Sequence, residues 1–318
     1  MLKIAVVGIG HLGKIHLKCL QETPFELVGV YDIDQEKSIA AASQWNTQNY
    51  TDLEHLIREA DVIDIVASTA AHYELARRAI TAGKHVFIEK PISSTFAQAT
   101  ELEKLYKTKT DLKLQVGHVE RYNPALVALE GEKLNPQFIE IHRLSSYNMR
   151  GTDVSVVHDL MIHDLDVLAH IVDSPVKKID AKGVSIVSES FDICNARLVF
   201  ENNCVANITA SRISMKEMRK FRVFQADAYI NIDFLEKKAQ IIRLADEASE
   251  NVIPLKTPKG EKFISFSSPK TKETNAIMSE LHDFHDAIVN NSEVKVGIHD
   301  AMNALDLAEK IERTAKES

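Results

Sequence analysis

Along the first third of the chain, short apolar runs rich in Val and Ile fall at 2–7, 27–31, 62–67, 85–88 and 112–116. Between them, at 13–21, 35–45, 52–60, 73–82 and 95–108, apolar positions recur every three or four residues. Near-continuous apolar strands separated by amphipathic helices predict a parallel sheet covered by helices. Thr51 and Glu54 have capping-box spacing, and Gly83 stands where a left-handed helix end costs little. After about residue 120 the rhythm changes. Helix-like segments at 123–134 and 156–171 bracket a strand at 138–145, and strand-like runs then follow at 177–188, 191–200, 204–212, 219–225 and 229–234. Strands in such close succession predict an antiparallel sheet. The polar stretch 245–272 reads as loops with short strands, and helical periodicity returns at 278–289 and 301–315. The expected architecture is an α/β Rossmann domain with a parallel sheet over residues 1–120. An α+β substrate and oligomerisation domain with a large, mainly antiparallel open sheet follows over 121–318, and its C-terminal helices are candidates to pack back on the first domain.

Composition narrows the classes. At 318 residues with 45% apolar and 26% charged, the chain can bury two cores, and fibrous or largely disordered readings fit poorly. Thirty-eight basic against forty-six acidic side chains leave a net charge of -8, which offers no long-range attraction for nucleic acid or an anionic membrane. The opening apolar run meets glycines before it could span a bilayer or resemble a full signal peptide, so cytoplasm is the default compartment. Cys19, Cys194 and Cys204 are odd in number and lack a CxxC spacing, which indicates neither a disulfide framework nor structural zinc.

Candidate chemistry begins at the first strand's end. Gly8, Gly10 and Gly13, with His11 and Leu12 between them, form G-I-G-H-L-G between a strand and a helix. The first glycine permits the turn, the second lets backbone approach a diphosphate, and the third relieves helix packing. The exposed amides at the helix start favour an anion. Asp32 closes the second strand 19 residues beyond Gly13, where its carboxylate can accept ribose hydroxyls and would repel a 2'-phosphate. NAD is therefore favoured over NADP. Asp34 suits the alternative role of helix cap.

Two further motifs carry a resemblance. Glu89, Lys90 and Pro91 form E-K-P after a strand, and Asp159 and His163 lie in D-L-M-I-H. With the glycine turn and Asp32, they resemble the oxidoreductase family of glucose–fructose oxidoreductase, inositol dehydrogenase and the rhizopine-catabolism protein MocA. That resemblance implies that Lys90, Asp159 and His163 meet near the nicotinamide. It also places the loop of Ser68, Thr69 and His72 by the cofactor with Glu89 and Lys90, and the segment of Arg121 and Tyr122 near the boundary between domains. The pairing of V-G-H-V-E-R-Y-N-P with H-D-L-M-I-H-D-L-D is similar to a subgroup of UDP-N-acetylglucosamine 3-dehydrogenases.

The residues support these roles by their own chemistry. Lys90 can hold an oxygen by its charge, with Pro91 restricting the backbone. His163 lies one helical turn beyond Asp159, close enough for the carboxylate to orient the ring. On an ideal helix Asp159, His163, Asp166 and His170 share a narrow polar sector opposite Val157, Met161, Leu165, Leu168 and Val172. His158, Asp159, His163 and Asp166 could also ligate a metal, but their spacing does not reproduce H-E-x-x-H and metal chemistry leaves Lys90 and the dinucleotide site unexplained. No metal is expected. Arg121, Tyr122, Arg143, Tyr147, Asn148 and Arg150 are substrate candidates, the arginines for an anionic nucleotide-sugar. The expected reaction moves hydride between a secondary alcohol of a sugar, polyol or nucleotide-sugar and NAD, with His163 as general base, Asp159 its orienting partner and Lys90 an oxygen clamp. A homo-oligomer fits the open sheet. The competing class is a regulatory or structural NAD-binding protein, which would keep the glycine turn without needing Lys90, Asp159 and His163.

Overall fold

The computed structural model describes residues 1–148, 154–245, 252–258 and 260–318. They form two compact units, 1–119 with 274–306 and 120–273 with 307–318. In the first unit, β1 (Lys3–Val7), β2 (Glu26–Tyr31), β3 (Gln48–Asn49), β4 (Val62–Ile65), β5 (His85–Glu89) and β6 (Leu114–Gly117) align in the order β3-β2-β1-β4-β5-β6. Every pairing in it is parallel. The order reverses between β1 and β4, which opens a crevice beyond the carboxyl ends of those strands. Helices α1 (His11–Leu20), α2 (Gln35–Gln44), α3 (Leu53–Glu59), α4 (Thr69–Thr81) and α5 (Phe96–Lys107) link the strands.

The strand period of two sorts the core into two faces. Ile4, Val6, Val62 and Phe87 pack on one side with Leu17 of α1 and Ala41 of α2. Ala5, Val7, Ile63, Ile65 and Ile88 pack on the other with Leu56, Ala76, Ala79 and Leu102. This two-sided burial is why these strands read as unbroken apolar runs. Phe284 and Leu281 of a late helix, Ala276–Val289, join the first of these faces, and Ile298, Ala301, Met302 and Leu305 join the second. Asp52, rather than Thr51, caps α3 by accepting the Glu54 N–H at 3.0 Å, while Asp34 caps α2 as expected. Gly83 takes φ +75° beyond α4.

Among the described residues, the second unit is built on nine strands: β7 (Phe138–Leu144), β8 (Val176–Val184), β9 (Ile193–Phe200), β10 (Val205–Ser211), β11 (Met218–Phe224), β12 (Ala228–Asp233), β13 (Lys238–Ala245), β14 (Val252–Thr257) and β15 (Gly260–Ser267). Their order is β14-β15-β13-β12-β11-β7-β10-β9-β8, antiparallel among the described residues save for β7 beside β10. One face buries Ile139, Ile141, Leu198, Ile208, Phe221 and Ile230 with Leu165 and Leu168 of a long helix. Two stretches differ from expectation. The segment at 123–134 contains only α6 (Pro124–Val127), preceded by a 3-10 turn at Val119–Tyr122, because Asn123 caps a proline start and polar residues with Gly131 follow. The segment at 156–171 opens with a π turn, Val157–Met161, before α7 (Ile162–Val172). The stretch 245–272, read as loops with short strands, carries β14 and β15 among its described residues. Two C-terminal helices complete the chain, α8 (Ala276–Val289) and α9 (Ile298–Glu317), the latter entering the second unit's core from Leu307 onward through Ala308 and Ile311. No described helix is long and apolar enough to cross a membrane.

Candidate active site

The glycine turn is built by close backbone contacts in the first unit. Gly8 takes φ +99°, and a Cβ there would lie 2.5 Å from Ala67 Cα, while one on Gly13 would lie 2.1 Å from the Gly8 carbonyl oxygen. No side chain at either place is compatible with this approach of α1 to the residues after β4. A Cβ on Gly10, by contrast, would meet nothing within 4 Å, and Gly10 begins α1 without a side-chain cap. The first amides of α1 are thus left for an anion. Asp32 is tied into the same turn: Oδ2 accepts the Ile9 N–H at 2.6 Å and Oδ1 the Asp34 N–H at 2.8 Å. Its oxygens keep lone pairs for ribose hydroxyls.

A cavity of about 430 Å³ opens here, lined by Gly8, Gly10, Asp32, Val66, Ser68 and Arg78 among others. Largely apolar walls, the fixed Asp32 carboxylate and a glycine cradle fit an adenine dinucleotide. His11 is exposed on the first turn of α1, and Leu12 is half-buried beside it. Ser68 is exposed at the start of α4, whose end also lacks a side-chain cap, and Thr69 is half-buried. His72 has a bracing role in the loop. Its buried ring lies 2.8 Å from the Pro91 carbonyl and 3.0 Å from that of Ala67, so it braces the loops after β4 and β5, and burial pulls its pKa down.

The E-K-P segment ends β5. Glu89 is buried, with Oε2 accepting the Lys90 N–H at 3.1 Å and Oε1 3.2 Å from His16 Nε2. The other nitrogen of that ring, Nδ1, lies 2.9 Å from Asp64 Oδ2. Glu89 therefore joins a buried polar cluster in the domain interior. Gly117 on β6 makes room for it, since a Cβ there would lie 2.7 Å from Glu89 Oε1. Lys90 is half-buried at the head of the following loop, and the Lys90–Pro91 peptide is cis.

In the second unit, Asp159 sits within the π turn and His163 in the first turn of α7, both half-buried. A π turn accommodates an extra residue per turn and marks functional segments more often than chance. Beyond it, Asp166 is buried against Arg121 and His170 is exposed, so the four residues do not share one polar surface. Arg121 donates to Asp166 at 2.8 and 3.2 Å, and Arg143 donates to Asp164 at 2.7 and 3.0 Å and to Glu120 at 2.9 Å. Both guanidinium groups are almost wholly buried, and the flanking carboxylates outweigh burial to raise the Arg143 pKa. Their charge holds α7 in place. Tyr122 is buried, Tyr147 and Asn148 are exposed, and Arg150 lies outside the described residues. His158 turns to Glu312 at 2.7 Å. With Asp166 on Arg121 as well, the four-ligand metal alternative on this helix loses two of its members.

Sequence reading missed His16, Asp64 and Asp164. A histidine eight residues after the first glycine, and an acid inside the apolar strand V-I-D-I, were the available signals.

Comparison with known proteins follows this geometry. The family model described as "Oxidoreductase family, NAD-binding Rossmann fold" matches residues 2–118, and that of the GFO/IDH/MocA C-terminal domain matches 134–230. The UDP-N-acetylglucosamine 3-dehydrogenase of Acidithiobacillus ferrooxidans is 29% identical over 90% of this chain and 88% of its own length. Inositol 2-dehydrogenase of Salmonella typhimurium is 31% identical over 52% of this chain and 53% of its own. Among solved structures, the Acidithiobacillus enzyme superposes with a TM-score of 0.91 at 27% identity, covering 99% of this chain and 98% of that one. An Agrobacterium radiobacter oxidoreductase in complex with NAD+, L-tartaric acid and magnesium shares the fold at a TM-score of 0.83 and 15% identity, over 99% of this chain and 96% of that one.

Proposed function

From the chain's membership of the GFO/IDH/MocA oxidoreductase family, with its NAD-binding Rossmann domain, we propose that it is an NAD-dependent nucleotide-sugar dehydrogenase acting on UDP-N-acetylglucosamine at the C3 hydroxyl. The supporting observation is the similarity to the Acidithiobacillus enzyme across both units, at 90% of this chain, whereas the inositol dehydrogenase similarity spans about half. NAD supplies the acceptor for hydride. Gly8, Gly10, Gly13 and Asp32 hold it, the glycines by presenting backbone amides and Asp32 by accepting ribose hydroxyls.

The chain's own residues then handle the proton. His163 takes the proton of the reacting hydroxyl, Asp159 orients the imidazole and favours its cationic form, and Lys90 stabilises negative charge on the oxygen. In the direction of ketone reduction the same groups return the proton. This reading includes a cytoplasmic, homo-oligomeric enzyme, an expectation carried by the sequence and checked by light scattering and cell fractionation.

The direct test incubates purified protein with NAD and UDP-N-acetylglucosamine, N-acetylglucosamine, UDP-glucose and myo-inositol. Reduced-cofactor absorbance and product mass are recorded. Two mass units lost from UDP-N-acetylglucosamine, with turnover at least tenfold above the other three, is the expected result. Preference for myo-inositol would replace the substrate assignment, and no hydride transfer with any of them would remove it.

A further inference from the structure

The first unit buries four ionisable groups around one imidazole, none of which belongs to the chemistry above. His16 on α1 is wholly buried, with Asp64 of β4 on one ring nitrogen at 2.9 Å and Glu89 of β5 on the other at 3.2 Å. Glu280 of α8 is also wholly buried, and its carboxylate comes within 4.8 Å of the polar atoms of His16 and Glu89. Cys19 is the other titratable group near the ring on α1, and the edge of Phe87 closes the apolar side at 5.7 Å between centroids.

A neutral imidazole has one N–H and one lone pair. Here both ring nitrogens face carboxylates. A lone pair against an ionised carboxylate would be repulsive, so ionised Asp64 and Glu89 call for donors at both positions, although burial pushes the Asp64 pKa up against the pull of His16. An imidazolium also offsets the charge that Asp64 and Glu89 would otherwise leave in a medium where unpaired charge is costly. The same balance operates on the acids. Burial and the neighbouring Glu89 carboxylate raise the Glu280 pKa well above its ordinary value, and although burial opposes it, Asp64 and Glu89 raise that of His16.

Glu89 connects this cluster to the E-K-P loop through a single carboxylate. Its Oε1 meets the ring and its Oε2 accepts the Lys90 N–H, while Gly117 leaves the space it needs. We propose that His16 is a positioning residue for Lys90: as a buried imidazolium bridging Asp64 and Glu89, it fixes the carboxylate that anchors the Lys90 backbone. Because His16 lies on the helix that follows the glycine turn, the same ring links the cofactor-binding helix to the loop carrying the lysine. The inference rests on the oxygen-clamp role given to Lys90 under the proposed function.

Histidine-labelled protein in 15N–1H NMR at pH 8 is expected to show one histidine with both ring nitrogens protonated, and His16→Asn removes that signal. In turnover of UDP-N-acetylglucosamine with NAD, His16→Asn lowers kcat at least tenfold while KM and the NAD Kd change less than threefold. The combined His16→Asn/Lys90→Ala variant is no slower than Lys90→Ala alone, because one residue acts through the other. A neutral His16 ring at pH 8, unchanged kcat in folded His16→Asn, or loss in the double variant equal to the product of the single losses overturns the proposal. Should His16→Asn not fold, Glu89→Gln is measured instead with the same expectation of non-additivity, and the wild-type spectrum still decides the charge state. Turnover of Lys90→Ala at the wild-type rate would instead overturn the role of Lys90 itself, and this inference with it.

Discussion

The carboxylate of Asp32 is fixed before any ligand arrives, because both its oxygens accept backbone N–H groups of the glycine turn and its own loop. Asp32→Ala is expected to weaken NAD at least tenfold, more than one lost hydroxyl contact would give, since the Ile9 N–H loses its acceptor too. Gly8→Ala forces a Cβ to 2.5 Å from the Ala67 backbone at φ +99°, so it should lower the melting temperature by several degrees and abolish NAD binding. Calorimetric titration and thermal unfolding read out both. For Lys90→Ala and His163→Ala, kcat should fall by roughly 10²–10⁴ while the NAD Kd moves by less than threefold, the range for loss of a proton-transfer or charge-stabilising group. Gly8, Gly13 and Asp32 were legible in the sequence because turn sterics and strand ends are local. Glu89 and His72 were not, because a motif does not say whether its polar atoms face a ligand or the interior.

Among the elements, α7 and α8 carry the stability arguments. Arg143→Met would leave Asp164 and Glu120 buried without their guanidinium, at a cost of about 3–5 kcal/mol, whereas a triple change that also neutralises both acids should recover much of the loss. Chemical denaturation of the two variants makes that comparison. On α8 the sign is opposite. Glu280 is buried, and burial with the nearby Glu89 raises its pKa, so the folded state binds a proton that the unfolded chain releases above the ordinary glutamate value of 4.5. Stability from this group falls as pH rises beyond that value. Glu280→Gln should therefore melt higher than wild type, and by a margin that widens from pH 5 to pH 8. The amphipathic period announced both helices but not these pairs. It also missed the π turn, since the separation of Asp159 and His163 along the chain does not tell an ideal helix from a broken one.

Across the whole molecule, the two units have opposite pH liabilities. In the first, His16 is held protonated above its ordinary value by Asp64 and Glu89 against the effect of burial, so its contribution is full below about pH 6.5 and lost as pH rises through the folded value. In the second, the hydrogen bond from His158, assisted by Lys316 and Ser155, holds Glu312 at about 2. Its contribution is present above the ordinary value of 4.5 and lost as pH falls through about 2. Amide exchange should therefore show β4 and β5 losing protection first toward pH 9, and the start of the π turn losing it first toward pH 3. The reverse order would contradict both charge assignments. The net charge of -8 predicts neither, because each depends on a few neighbours. By itself the sequence determined the alternating strands and helices, the glycine turn with Asp32, and the family to which the motifs belong. Those features depend on side-chain period, backbone sterics and contiguous residues. Only the tertiary structure decided that Arg121 and Arg143 neutralise buried acids, and that Asp64 and Glu89 meet His16 across 48 and 73 residues of chain. Pairing at such separations follows from how strands and helices pack, which no local pattern encodes.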